Sequence, residues 1–322
     1  MNKAIAFVRN VWTTFRPHFF AVSGAAGLTG MVFAYQDPPV WKTATTFLIC
    51  FFSYGLIQAL CDTFDLETDR INAPFRPMVT GELPVKMMWV VLGSLLLAVG
   101  ILFYFINPLM LAFQGAALVL SFTYNRMKRI PNAGPVWNGL IVAALPFLGA
   151  LGVSDITTLN GFPREVIVFA FLVCFVYAGF VLTGYFKDVE GDAKTGYRTA
   201  PVYYGIDVAK WHVIPYIVVA VAGILFFLSD QVSVGSNEGS STVFLVLSAA
   251  AVVTMVSSSF ILIRNPSQHN SYKVLIWYTR GMVLYFLSPI AIVHSVGAVA
   301  ASAGFLGLME YFFSKTRGTY QA

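Results

Sequence analysis

"DTFDLETDRINAPFRP", residues 62–77, packs three aspartates, one glutamate and two arginines into sixteen positions of a chain that is otherwise suited to lipid. The whole protein has 322 residues, of which 57% are hydrophobic and only 11% charged. Its mean hydropathy is +0.73. A soluble globular chain carries about 25% charged residues, so too few charges exist here to cover a large soluble core. The composition reads as an all-α, polytopic membrane protein. A cluster of carboxylates in such a chain asks for a reason.

Apolar stretches of spanning length lie near 18–35, 43–61, 87–105, 108–124, 137–153, 166–186, 211–229, 243–263 and 275–296. A bilayer core needs roughly 20 helical residues, so about nine spans are expected. The run 297–313 is expected to be a tenth, short or interfacial helix. No soluble domain fits the remaining loops, and 1–322 reads as one membrane domain. The apolar run after Lys3 and Arg9 has no clear small-residue cleavage site, so it reads as retained sequence. With an inside N-terminus, fifteen basic residues from Lys3 to Lys273 fall on the cytosolic side. Only Lys42, Arg164, Lys315 and Arg317 fall opposite, which favours that orientation. The net charge of +5 is spread over short loops and forms no nucleic-acid patch. Cys50, Cys61 and Cys174 show no CxxC spacing, hence no disulfide framework or zinc site. The four histidines lack paired ligand spacing, no phosphate-binding loop motif is present, and "GLTG" (27–30) reads as helix packing.

The acidic residues 62–69 follow the second span, and Asp188, Glu190 and Asp192 follow the sixth, so both clusters face the same side. Asp65 and Asp69 are four apart and share a helical face. Asp188 and Asp192, in "KDVEGDAKTGYRTAPVYYG" (187–205), repeat that spacing. Solvated loop charges or salt bridges would account for one such pair; two at equal spacing on one side suggest an oxygen-rich pocket. Carboxylates alone repel one another. Mg²⁺ relieves the repulsion, prefers oxygen ligands and commonly shares its shell with phosphate oxygens. Arg76, Lys128, Lys187 and Arg198 are then candidate diphosphate partners, arginine as a fork and lysine as a point charge.

These motifs resemble the UbiA superfamily of intramembrane prenyltransferases. Its NxxxDxxxD motif, often followed by N-x-P-x-R-P, is matched by "CDTFDLETDRINAPFRP" (61–77). Its DxxxD motif in a K-D-x-x-G-D context is matched at 187–192. "TYNRMKRIP" (123–131) is similar to its Tyr-x-x-x-Lys segment, and "FRPHF" (15–19) to its Arg-Pro element. The similarity runs over about 10–300. It implies nine helices around a cavity that opens toward lipid, and Mg²⁺-dependent use of an isoprenyl diphosphate. Carried over, Asp65, Asp69, Asp188 and Asp192 would hold the metal–diphosphate complex, with Arg76 and Lys128 on phosphate. Asp62 matches a family acid beside the motif. Tyr124 would line the reaction zone or sit in an interfacial aromatic belt. Cys61 departs from the family, which usually has Asn there. A thiol replaces neither the amide's oxygen nor its two-sided hydrogen bonding, so either water fills that position, or Asp62 or Gln58 contributes, or the reaction differs from standard acceptor prenylation.

The expected chemistry is ionisation of an allylic diphosphate in a cavity that excludes water, followed by capture by a hydrophobic or aromatic acceptor drawn from the membrane. A terpene cyclase of the same family, with no external acceptor, is the alternative. A transporter with intramembrane carboxylates fits less well, because the acids lie at helix ends beside basic residues.

Overall fold

The structure, a computed structural model, describes residues 3–234 and 238–316, and all regular elements among them are helical. Prolines set several starts. Val40–Asp62 (α3), Val85–Ile106 (α5), Leu109–Met127 (α6) and Arg164–Tyr185 (α9) each begin directly after Pro39, Pro84, Pro108 or Pro163. Proline lacks the N–H a preceding turn needs, while its fixed φ suits the first position of a new helix. The remaining long elements are Lys3–Phe15 (α1), Phe20–Phe33 (α2), the pair Ala133–Val142 (α7) and Ala144–Gly152 (α8), Ile214–Val234 (α11), Glu238–Arg264 (α12), Gln268–Leu287 (α13) and Ser295–Thr316 (α14). Two short helices, Leu66–Asn72 (α4) and Val189–Lys194 (α10), carry the acidic motifs.

Among the described residues, eight segments are long and apolar enough to cross a membrane. The expected spans near 18–35 and 108–124 are not among them. The first is a helix of only 14 residues behind the tight turn Pro17–Phe19, about 21 Å at 1.5 Å per residue. The second forms α6 but ends in the polar run Tyr124–Met127, which lowers its hydropathy. The run 297–313, expected as short or interfacial, instead lies inside the 22-residue α14, because only Glu310 and Lys315 interrupt its apolar course. That helix changes the expected side of Lys315. The residue lines one groove with Arg9, Arg16 and Arg76, at the same end of the molecule as the acidic loops. Arg317 lies outside the described residues.

The centre of the bundle is α9, whose spanning window is 78% buried, whereas that of α5, at 17%, is the least buried of the eight. The glycines of "GLTG" let α2 approach its neighbours. A Cβ at Gly27 would collide with Cys50, and one at Gly30 with the carbonyl of Pro146. Cys50 is thus a packing residue, as its apolar setting predicts.

Candidate active site

The two acidic motifs adopt the same local structure. Asp65 precedes the first turn of α4, and its carbonyl accepts the Asp69 N–H at 2.8 Å. Asp188 precedes α10, and its carbonyl accepts the Asp192 N–H at 2.9 Å. Each pair therefore spans one turn at the mouth of a membrane helix, α3 or α9. Asn72 joins the motifs. Its Nδ2 donates to the Asp188 carbonyl at 3.1 Å and its Oδ1 accepts the Gly191 N–H at 3.0 Å. Glycine is required there, since a Cβ at 191 would overlap the Asn72 amide. Thr68 and Thr195 add a hydroxyl–hydroxyl bond of 2.9 Å across the same seam.

One cavity of about 770 Å³ gathers Asp62, Asp65, Asp69, Asp188 and Asp192 with Arg16, Arg76, Lys128 and Lys187. Asp62 accepts from Arg16 at 2.7 and 2.9 Å and from Gln58 at 2.9 Å. Arg76 pairs with Asp69 and lies 3.5 Å from Asp62. Lys128 sits 3.3 Å from Asp65 and 3.8 Å from Asp192, so it links the halves. Asp65 also accepts from Tyr197 at 2.8 Å and Asn125 at 3.0 Å. Asp192 is fully buried; one oxygen accepts from Thr199 at 3.0 Å and the other has no hydrogen-bond partner. Lys187 holds Asp188 at 2.7 Å.

Burial pushes the carboxyls of Asp69 and Asp192 up to about 6, because the charged form loses water. Burial also works against charge on Lys128 and Arg76. The carboxylates beside them outweigh it, and both stay protonated above their ordinary range. Among the described residues no three His, Cys, Asp or Glu side chains converge as a metal site. Cations stand between the carboxylates instead.

Beneath this polar chamber lies an apolar cavity of about 800 Å³ between α3, α5, α6, α7 and α8. Tyr54, Gln58, Cys61, Asn138 and Tyr177 line both, so charged and greasy compartments meet at Cys61. Tyr124 lies at the chamber wall, its hydroxyl 3.0 Å from that of Tyr185. Of the residues singled out from sequence, Arg198 is the one left outside. Residues 197–199 form a short non-helical link in which Tyr197 and Thr199 are buried, while Arg198 is exposed with its guanidinium 4.5 Å over the Tyr203 ring. Sequence reasoning passed over Tyr197, Thr199, Asn72 and Asn125. Arg16 was visible only as part of an Arg-Pro element; it takes a left-handed backbone with φ 53°, an uncommon state for a residue with a Cβ and one found at functional sites.

The model of the UbiA prenyltransferase family matches residues 23–287. The chain belongs to that family. This UbiA protein is a prenyltransferase and an integral, multi-pass membrane protein. It is 29% identical over 278 residues to the digeranylgeranylglyceryl phosphate synthase of Pyrococcus abyssi, covering 84% of this chain and 94% of the relative. It is 26% identical over 172 residues to the chloroplastic chlorophyll synthase of Avena sativa, covering 49% and 43%. Among solved structures, a UbiA homolog from Archaeoglobus fulgidus bound to GPP and Mg²⁺ superposes with a TM-score of 0.64 at 17% identity, covering 88% of this chain and 99% of that one. A structure described for digeranylgeranylglyceryl phosphate synthase gives 0.63 at 19%, covering 92% and 100%. These likenesses establish the fold of the UbiA chain.

Proposed function

We propose that this protein transfers an isoprenyl group from its diphosphate to a lipid-borne hydroxyl, with a glyceryl phosphate lipid as acceptor. The observation that carries the reading is the junction at Cys61, where a charged chamber opens into an apolar one. An allylic diphosphate has that same polarity, a charged head on a hydrocarbon tail. The acceptor class follows the synthases named above, which the chain matches over nearly their whole length.

The chamber fits Mg²⁺ in its donor set, which is carboxylate oxygen, and in the buried Asp192 oxygen that accepts no hydrogen bond and has only Lys128, at 3.8 Å, as an ionic neighbour. Asp65, Asp69, Asp188 and Asp192 are the residues that would hold it with the diphosphate. When bound, the metal supplies positive charge to the departing diphosphate. Arg76, Lys128 and Lys187 would add their own charge beside the same oxygens, and Arg16 offsets the charge of Asp62 in the chamber wall. The apolar walls below keep water from the developing allylic cation. Tyr54 and Tyr177 line the junction and Tyr124 the chamber wall, and aromatic faces favour cations. The bond from C1 to the diphosphate oxygen breaks. The acceptor oxygen forms the new bond to C1, and its proton leaves to a chamber carboxylate or to water. The basic residues, with Lys315 in the groove beside them, support a cytosolic chamber.

The test is turnover in lipid with Mg²⁺ and geranylgeranyl diphosphate, with products identified by mass spectrometry. Asp65→Asn and Asp192→Asn are expected to lose at least about a hundredfold in rate, on the scale of removing one charge-stabilising group, while still inserting as folded protein. Wild-type activity in both variants sinks the site assignment. A cyclic hydrocarbon or alcohol formed without acceptor would replace transfer by cyclisation.

A further inference from the structure

The Arg16–Asp62–Arg76–Asp69 ion network has two sides. One faces the donor chamber. The other bounds a groove of about 1620 Å³ between α1, the loop 75–82 and the end of α14. The two spaces differ in charge. The chamber gathers five carboxylates and four cations, whereas the groove gathers Arg9, Arg16, Arg76 and Lys315 against Asp62, Asp69 and Glu82. Net negative charge calls for a metal before an anion can enter; net positive charge admits an anion unaided. Trp12 and Tyr311 wall the groove. Along α1, Ile5, Val8 and Trp12 are exposed on one face, the pattern of a helix lying in the membrane interface. The groove thus opens where lipid headgroups lie.

We propose that this groove binds the phosphate headgroup of the acceptor lipid, with Arg9 and Lys315 as its outer contacts. The inference rests on the transferase reading above and adds where, and by which charge, the acceptor is recognised. Arg9 and Lys315 line the same groove as the ion network that also bounds the donor chamber, so an acceptor held there is beside that network. Arginine offers phosphate a planar fork and lysine a mobile point charge. Arg9 and Lys315 stand outside the donor chamber, so their loss is expected to alter acceptor use and leave donor use intact.

The experiment uses the full chain in neutral phosphatidylcholine vesicles, with geranylgeranyl diphosphate and Mg²⁺. Geranylgeranylglyceryl phosphate is compared with geranylgeranylglycerol. The expected result is an acceptor KM at least about tenfold lower with the phosphate, which corresponds to one charge-assisted contact. The Arg9→Ala/Lys315→Ala double variant is expected to erase that preference without changing donor KM or the rate on the neutral acceptor, and Arg9→Lys to keep most of it. An unchanged preference in the double variant, or a parallel rise in donor KM, overturns the assignment. So does a variant effect that appears only when phosphatidylglycerol is added, since the groove would then serve bulk anionic lipid. Thermal stabilisation by lysophosphatidic acid, against monoacylglycerol, reads the groove without turnover. Stabilisation lost in the double variant, alongside no prenylation of any acceptor, would spare the phosphate site and sink the transferase reading. Equal stabilisation of both proteins would sink the site alone.

Discussion

At the scale of single residues, Asp69 and Asp192 carry a pH signature. Both are raised by burial to about 6 from an ordinary 3.8. A raised acid binds its proton more tightly in the folded chain. Its stabilising contribution is therefore complete below about 4 and is lost as pH rises through 6. Mg²⁺ requires the ionised forms, so its effect runs the other way. Thermal melts with and without Mg²⁺ and diphosphate are expected to show a clear upward shift at pH 7.5 that fades below about pH 6; a shift of equal size at pH 5 would contradict this. Neighbouring residues 197 and 198 make a sharper contrast. Tyr197→Phe removes the 2.8 Å bond to Asp65 and is expected to lower the rate about ten- to a hundredfold, from the roughly 1.5–3 kcal/mol typical of a hydrogen bond to a charged group. Arg198→Ala, on the outer face, is expected to leave kcat and KM unchanged. The paired aspartates were legible because a helix repeats every four residues. Tyr197 was not, because a three-residue link between helices gives no period from which to read its inward face.

At the scale of elements, the site is a pair of one-turn motifs bound together, and the binding agent is Asn72. Replacing it with alanine removes two hydrogen bonds between α4 and α10. The expected cost is about 1–3 kcal/mol at about 1 kcal/mol per bond, read as a lower melting temperature, with weaker Mg²⁺ response because the carboxylate halves lose their fixed spacing. Asn72 was in plain view in the N-A-P-x-R-P segment, yet its partner is 116 to 119 residues away, and no local pattern reports such a contact. The helices themselves were readable from hydropathy and proline placement. What hydropathy could not supply was length after folding: α2 is shortened by the Pro17–Phe19 turn, and α14 is longer than an interfacial helix. Arg280 on α13 and Glu310 on α14 pair at 2.6 Å, which fixes that last helix against the bundle.

At the scale of the whole molecule, α14 decides at which end of the bundle Lys315 lies. Lys315 shares a groove with Arg9 and Arg16, so both ends of the described chain lie beside the donor chamber. A reporter fused after residue 322 is expected to read on the same side as one fused before residue 1, and on the cytosolic side for both; opposite readings would remove α14 from the spanning set. The ion network also bears on how the protein is made. Arg16, Asp62, Asp69 and Arg76 all come from the first quarter of the chain, while Asp192 is synthesised 116 residues after Arg76. At 5–20 residues per second that interval lasts roughly ten seconds. During it Asp62 and Asp69 already have Arg16 and Arg76 as counterions, while Asp65 still waits for its cation. Lys128 emerges next, 64 residues before Asp192, and holds Asp65 until that second carboxylate arrives to share it. The order of residues along the ribosomal product thus matches the order in which buried charge must be compensated during insertion.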